Sequence, residues 1–375
     1  MTSPSMTNIG IGLIGSGFMG RSHAIAMRAV QGIFGADVVP SLEVLADVDA
    51  ASAQRAATAL GFARATADWR DLVRDPAVQL VHITTPNALH KPMALAAIAA
   101  GKAVYCEKPL AANAGDAAEM ADAAEAAGVV TAVGFNYLKN PMLLAAREMV
   151  AGGEIGEVVS FRGIHAEDFM TDPAAPWTWR LDPSGGHGVV ADLGSHILSI
   201  ARFLCGDIDA VCGQLATAHP TRPLAGGGTH AVEVDDQARA LLHFTSGATG
   251  SVEASWVAAG RKMTLAFEVT GTRGSIAFDQ ERMNELQLYT TGQPAGRDGF
   301  RTILAGPAHP PYGKFCPAPA HHLGFNDLKT IEAHAVLRAV AGGAAFLPDF
   351  REAARIQATV DAIVRSARER AWATP

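Results

Sequence analysis

The sequence predicts an α/β fold. A parallel sheet wound on both faces by helices occupies the first part of the chain, and a second α/β region built on a mostly antiparallel sheet follows. Three observations carry this. Short apolar runs alternate with helix-length stretches from Ile9 to Val133, the pattern of parallel strands covered by helices. A glycine cluster, GSGFMG at Gly15 to Gly20, falls where the first strand turns into the first helix. After Gly134 the apolar runs follow one another through mostly short turns, which favours antiparallel pairing.

In order, the first region reads as strand Ile9 to Ile14, a helix from Phe18 toward Val30, and strand Leu42 to Ala46 ending at Asp47. Strand Val78 to Ile83, helix Leu89 to Ala100, strand Ala103 to Cys106, helix Asn113 to Ala127 and strand Val129 to Val133 complete it. The second region opens with a helix near Pro141 to Ala151 and a strand candidate from Glu157 to His165. A helix spans Val190 to Phe203. Strand candidates follow at Asp209 to Ala216, Ala231 to Phe244, Gly250 to Val257, Thr264 to Thr270, Ser275 to Asp279 and Glu285 to Tyr289. Arg273-Gly274 reads as a hairpin turn. Helices His322 to Ala341 and Phe350 to Glu369 close the chain, and Pro220 to Gly228 and Pro294 to Pro319 read as loops. The expected domains are 1–134 and 135–375. A one-sided sheet must cover its other face, and Val252, Ala254 and Trp256 are the residues expected to meet a partner chain, as a homodimer or homotetramer.

Composition bounds the rest. A chain of 375 residues exceeds one comfortable core, and 49% hydrophobic with 18% charged residues fills two. The net charge of -7 argues against a nucleic-acid partner, whose phosphates need a basic surface. Apolar runs are too short for a membrane span, and no leader peptide is read at the N-terminus. The four cysteines show no CxxC spacing and read as reduced, mostly buried hydrophobes in a cytoplasmic protein, with no structural zinc.

The glycine cluster points to a dinucleotide. Gly15 permits a tight turn, Gly17 lets backbone approach a pyrophosphate, and Gly20 lets the helix pack on the strand, with Phe18 and Met19 between them. Asp47 ends the second strand, where a carboxylate accepts hydrogen bonds from adenosine ribose hydroxyls; Asp49 is the alternative. The GIFGADVVPS stretch accounts for the long spacing from Gly20 to Asp47. Ligands of such sheets sit beyond the strand ends, where Thr85-Pro86-Asn87, Glu107-Lys108-Pro109 and Gly134-Phe135-Asn136 fall. Lys108 there either steadies developing alkoxide charge, contacts the cofactor ribose or is a solvated surface lysine. His90 opens a helix and fits cofactor contact, packing or capping.

Asp192 and His196 stand one turn apart in the expected helix. They fit a general base with its supporting carboxylate, part of a metal site, or a plain polar contact, and no third metal ligand is prearranged. His165, with Glu167 and Asp168, forms a polar cluster that a half-exposed strand end also explains. His321 and His322, near Asn326 and Asp327, are candidate contacts to ligand hydroxyls, and Trp177, Trp179 and Arg180 a candidate pocket wall or ordinary loop packing.

Taken together, IGLIGSGFMG, ITTPNALH, GKAVYCEKPLA, GFNY and SGGHGVVADLGSH resemble the glucose-fructose oxidoreductase/inositol dehydrogenase/MocA family in order and spacing, over most of the chain. The resemblance implies a Rossmann domain binding NAD and an α/β domain with a large open sheet. It also implies redox chemistry on a secondary alcohol or ketone of a sugar or cyclitol. On the family pattern Lys108, Asp192 and His196 are the catalytic group, and Asn87, Glu107 and Asn136 lie near the nicotinamide end. HAEDFMTDP, PWTWR, GFRTILAGPAHPPY and HHLGFNDLK further resemble a branch containing levoglucosan dehydrogenases. His187 stands where many relatives have a third glycine, and Ser199 where many have an acid. The alternatives are aldose or dihydrodiol oxidation, glycosidase chemistry with retained NAD, and a non-catalytic NAD(H) sensor. Because Asp47 repels a 2′-phosphate and no Arg or Lys directly follows it, kcat/KM should be higher with NAD than with NADP. Comparable efficiency with both cofactors would contradict that reading.

Overall fold

The structure, a computed structural model, describes residues 7–35 and 37–375. The N-terminal leader reading and part of the GIFGADVVPS stretch therefore lie outside the described residues. The chain divides into two compact units. The first is built from residues up to Lys139 together with Gly324–Ala354, the second from Asn140–Leu323 and Arg355–Pro375.

In the first unit β1 (Thr7–Ile14), α1 (Phe18–Phe34), β2 (Val38–Ala46), α2 (Ala50–Leu60) and β3 (Arg64–Thr66) lead to α3 (Trp69–Arg74) and β4 (Leu80–Ile83). Then come α4 (His90–Ala99), β5 (Ala103–Cys106), α5 (Ala114–Ala127) and β6 (Thr131–Val133). All pairings are parallel, in the order β3-β2-β1-β4-β5-β6. The order reverses between β1 and β4, so the ligand crevice lies beyond their C-terminal ends. Ile9, Ile11 and Leu13 of β1 are buried against Met27 and Val30 of α1. Caps fix the helix starts: Asp49 accepts from the Ser52 N–H at 2.8 Å on α2, and Asn113 from Asp116 N–H at 2.9 Å on α5. The region from Ala50 to Arg74, unassigned from the sequence, supplies α2, β3 and α3.

The second unit opens with α6 (Pro141–Ala151), β7 (Val158–Ala166), α7 (Val189–Asp192), α8 (Gly194–Cys205) and β8 (Ile208–Ala216). A small hairpin of β9 (Thr221–Pro223) and β10 (Thr229–Ala231) precedes β11 (Gln237–Phe244), β12 (Thr249–Ser255), β13 (Thr264–Gly271), β14 (Gly274–Asp279), β15 (Glu285–Thr290) and β16 (Arg301–Leu304). The large sheet runs β16-β15-β14-β13-β7-β12-β11-β8 and is antiparallel except between β7 and β12. Last come α9 (Phe325–Val340) and α10 (Phe350–Glu369).

Several expectations change. The segment Gly324–Ala354, expected in the second domain, belongs to the first unit, because Ala333, Val336 and Leu337 of α9 join its core. The expected strand Ala231 to Phe244 breaks before Gln237, where Asp235 and Asp236 bury their carboxylates against backbone N–H groups. The expected loop Pro220 to Gly228 contains β9, and Pro294 to Pro319 contains β16 and a 3-10 turn at Tyr312–Lys314. Only Cys106 of the four cysteines is buried; the other three are half-buried, and all are free thiols.

Val252, Ala254 and Trp256 point inward, not toward a partner face. All three are buried; Val252 and Ala254 lie beside Gly194, Ile197 and Leu198 of α8, and Trp256 follows the end of β12. The outward face alternates with them and carries Leu241, 53% exposed, and the cross-strand pairs Arg162–Glu268 and Arg239–Glu253, each at 3.0 Å. Among the described residues no single helix is long and apolar enough to cross a membrane. Trp256 is fully buried and its indole N–H donates to Asp236 at 2.6 Å. Trp256→Ala should destabilise the protein by about 3–5 kcal/mol in urea unfolding, and an unchanged midpoint would contradict this packing.

Candidate active site

The β1–α1 turn is shaped to receive a phosphate group. Gly15 has φ +93°, a conformation that L side chains rarely adopt. A side chain at Gly20 would collide with the Gly15 carbonyl, which fixes how closely α1 approaches the turn. Gly17 has open space around it and caps a helix of 17 residues with no side-chain hydrogen bond at its start. Such an uncapped N-terminus presents N–H groups and a positive dipole end to an anion. Phe18 is exposed, its ring 5.7 Å from that of Phe325, and Met19 is half-buried.

Asp47 stands at the end of β2. Its Oδ2 accepts from the Ser16 N–H at 3.1 Å and from the Ser16 hydroxyl, and Oδ1 from Val48 N–H at 2.7 Å. Asp49 is occupied as the α2 cap, which leaves Asp47 as the ribose candidate. Thr84 ties β4 to the turn by donating to the Ile14 and Gly15 carbonyls, at 3.0 and 2.8 Å. Beyond it lie Thr85, Pro86 and a 3-10 turn beginning at Asn87. His90 is buried, and its two ring nitrogens face the Thr85 and Pro109 carbonyls, both at 2.9 Å. It joins the β4 and β5 loops. Asn136 is buried with no partner for its Nδ2 among the described residues, a donor available to a cofactor. The cradle, the carboxylate and this amide fit a dinucleotide.

Glu107 and Lys108 lie directly after β5. The Glu107 carboxylate is turned into the unit. Oε1 receives the His23 Nε2–H at 2.8 Å and the Lys329 ammonium at 2.9 Å, and Oε2 accepts the backbone N–H of Lys108 at 3.2 Å. A side chain at Gly134 would strike this carboxylate. Lys329, 0% exposed on α9, also donates to Glu332 Oε2 at 2.8 Å and to the Tyr105 hydroxyl at 3.2 Å; Tyr105 in turn donates to Glu332.

Burial opposes charge throughout this cluster. It would raise the Glu107 pKa, but the Lys329 charge and the His23 N–H hold it well below the carboxylate range. Burial likewise works against the Lys329 ammonium, and the two glutamates overcome it and raise its pKa. Glu332 is pushed up by burial, against the pull of Lys329. His23 falls to about 4 through burial and the neighbouring Lys329. A neutral His23 that donates from Nε2 must accept at Nδ1, so His82, 2.9 Å away, donates from its own Nδ1. The sequence offered no pattern linking Lys329 to Glu107.

In the second unit Asp192 and His196 do not share one continuous helix. The helical segments Pro183–Asp192 and Gly194–Cys205 bend by 55° at Leu193, whose carbonyl accepts from His165 Nδ1 at 3.0 Å. His196 is buried with its ring 5.4 Å from that of His165, and His165 Nε2 lies 3.3 Å from the Glu167 carboxylate. Asp192 accepts from Arg180 Nε at 3.3 Å, and the Arg180 guanidinium lies over the exposed Trp179 ring at 4.5 Å. Trp177 packs near His230, 5.3 Å between centroids.

Asp235, which sequence reasoning missed, accepts the Gly188 and Val190 N–H groups at 3.0 and 2.8 Å and so sets the start of α7. Burial raises its pKa. Ser199 donates to the His196 carbonyl at 2.7 Å, and His187 Nε2 stands 3.2 Å from Asp361. The structure does not bring His322 and Asn326 together in one helix. His322 is an exposed residue at φ +60° in the second unit, while Asn326 lies in the first turn of α9 in the first unit. Gly324 N–H, on the Asp327 carboxylate at 2.8 Å, starts the helix three residues later than expected. Among the described residues no group of three or more His, Cys, Asp or Glu is arranged to hold a metal ion.

A Rossmann sheet carrying an uncapped glycine turn and a strand-end carboxylate, with a second open-sheet unit, defines an NAD-binding oxidoreductase. The chain belongs to the Gfo/Idh/MocA family. Residues 9–135 match the oxidoreductase-family NAD-binding Rossmann fold, and residues 143–277 match the GFO/IDH/MocA C-terminal domain. It is 40% identical to a levoglucosan dehydrogenase from Pseudarthrobacter phenanthrenivorans, over 98% of both chains. It is 35% identical to a 1,5-anhydro-D-fructose reductase from Ensifer adhaerens, over 71% of this chain and 74% of that one. A solved levoglucosan dehydrogenase in complex with NADH and levoglucosan superposes with a TM-score of 0.95 at 40% identity, covering 98% of this chain and 99% of that one.

The buried histidine makes stability depend on pH. Unfolded, His23 takes a proton near pH 6.5, whereas in the fold it resists protonation down to about 4. The unfolded state therefore binds the extra proton between these values, and stability falls on acidification across that window by about 3 kcal/mol. His23→Gln should flatten this slope in urea unfolding followed from pH 7 to pH 4. An unchanged slope would show that His23 is not held neutral.

Proposed function

We propose that this chain is a dehydrogenase that oxidises a secondary alcohol of levoglucosan, or of a closely related anhydrosugar, to a ketone with NAD as acceptor. The observation that carries this reading is the 40% identity, over 98% of both chains, to a levoglucosan dehydrogenase. The anhydrosugar in the name of a second relative supports the substrate class.

Gly15, Gly17, Gly20 and the start of α1 hold the pyrophosphate, Asp47 the adenosine ribose, and Thr85, Pro86, Asn87 and Asn136 the nicotinamide end. When bound, NAD supplies the hydride acceptor. His196 takes the proton of the substrate hydroxyl. Its neighbour His165 is anchored on the Leu193 carbonyl, so the imidazole has a fixed packing surface. Lys108 steadies the substrate oxygen as negative charge builds on it. Asp192, paired with Arg180, orients the hydroxyl or His196. Trp177, Arg180 and His165 contact the sugar, with His322 and Asn326 as lesser contributors. The outward face of the large sheet, with its exposed Leu241 and paired charges, joins copies of the chain into a dimer or tetramer in the cytoplasm.

Absorbance at 340 nm should report NAD reduction that is faster with levoglucosan than with inositols or free aldoses. Preference for an inositol or an aldose would displace the anhydrosugar reading. Lys108→Met and His196→Asn should each lower kcat by roughly 10²–10⁴-fold while NADH binding, followed by fluorescence, stays near parental. Near-parental turnover in either variant would refute that residue's role. Light scattering showing a concentration-independent monomer would contradict the assembly.

A further inference from the structure

Lys329 is a lysine with no solvent contact, and its three protons meet acceptors on Glu107, Glu332 and Tyr105. Relative to a well-packed apolar replacement, such a buried ion pair adds little net stability and often costs some. Stability alone therefore does not account for it. Its geometry supplies something an apolar side chain could not. The Glu107 carboxylate is pinned at Oε1 by Lys329 and His23, and it occupies space that Gly134 leaves open by having no side chain. The remaining oxygen, Oε2, accepts the backbone N–H of Lys108. A continuous line of contacts thus runs from the α9 ammonium, through one carboxylate, to the main chain of the residue assigned to steady the substrate oxygen.

We propose that Lys329 is a positioning residue for catalysis: by fixing the Glu107 carboxylate it holds the backbone of Lys108, and so sets where the Lys108 ammonium is presented to substrate. This rests on the catalytic assignment of Lys108. Lys329 itself touches neither substrate nor cofactor, and its effect passes through Glu107. Removing it frees the carboxylate to follow water or His23, and the turn that carries Lys108 loosens with it. A displacement of about 1 Å at a reacting group costs on the order of 10²-fold in rate.

A double-mutant cycle on the full chain tests this. Lys329→Met should lower kcat on the order of 10- to 100-fold and leave KM for NAD and NADH binding nearly unchanged. In a Lys108→Met background the same substitution should cost little more, because the residue it positions is already gone. Since Lys329→Met leaves a buried carboxylate uncompensated, the neutral pair Lys329→Met with Glu107→Gln is carried through the same cycle, with thermal unfolding to confirm that each variant is folded. Non-additive losses in kcat support the positioning role. A full Lys108→Met defect with additive Lys329 losses, or a Lys329 effect confined to KM for NAD, would overturn it. Undiminished turnover in Lys108→Met would overturn the catalytic assignment, and the positioning role with it.

Discussion

Lys329 carries a full positive charge into a site without solvent contact, between the carboxylates of Glu107 and Glu332 and against the Tyr105 hydroxyl. A charge so placed persists only where every proton finds an acceptor, since burial without partners costs several kcal/mol per ion. The first unit meets that demand with residues from two distant parts of the chain. Tyr105 and Glu107 come from β5 and its end, Lys329 and Glu332 from α9. The ionic cluster and the apolar stripe of Ala333, Val336 and Leu337 together make α9 part of the Rossmann unit although Asn140–Leu323 of the other unit intervenes in the chain.

The same cluster sorts the histidines and acids near the crevice into fixed protonation states. Burial, reinforced by the Lys329 charge, keeps His23 and His82 neutral, and Lys329 with His23 keeps Glu107 ionised against its own burial. The Glu107 carboxylate consequently works inward, as an acceptor, rather than toward the crevice. What the crevice receives is the open start of α1, the Asp47 carboxylate and the Asn136 Nδ2, which has no partner among the described residues. This division of labour suits a cofactor that carries its own chemistry and asks of the protein chiefly position and charge.

Signals that are local in the chain were legible in the sequence. The glycine turn, the strand-end Asp47 and the parallel strands are written in short spacings, and β5, α6 and α10 begin and end where their residues predicted. Long-range consequences were not. The Lys329–Glu107 contact spans 222 residues, and nothing in either neighbourhood announces it. The helix through Asp192 looked continuous because apolar spacing continues across Leu193, while the bend accompanies a hydrogen bond from His165 to the Leu193 carbonyl. Val252, Ala254 and Trp256 were placed on the wrong face for a related reason: alternation shows that a strand has two faces but not which of them α8 covers.

The motifs that identify the family were legible as well, although they leave several reactions open; the proposed one is direct transfer of hydride from a carbinol carbon of the sugar to NAD. Levoglucosan, the proposed substrate, deuterated at each carbinol carbon in turn and incubated with this protein and NAD, tests that most directly. Mass spectrometry of the reduced cofactor should find deuterium from one labelled position and a slowed turnover for that isotopomer where transfer limits the rate. Reduced cofactor free of deuterium from every labelled carbon would contradict the account.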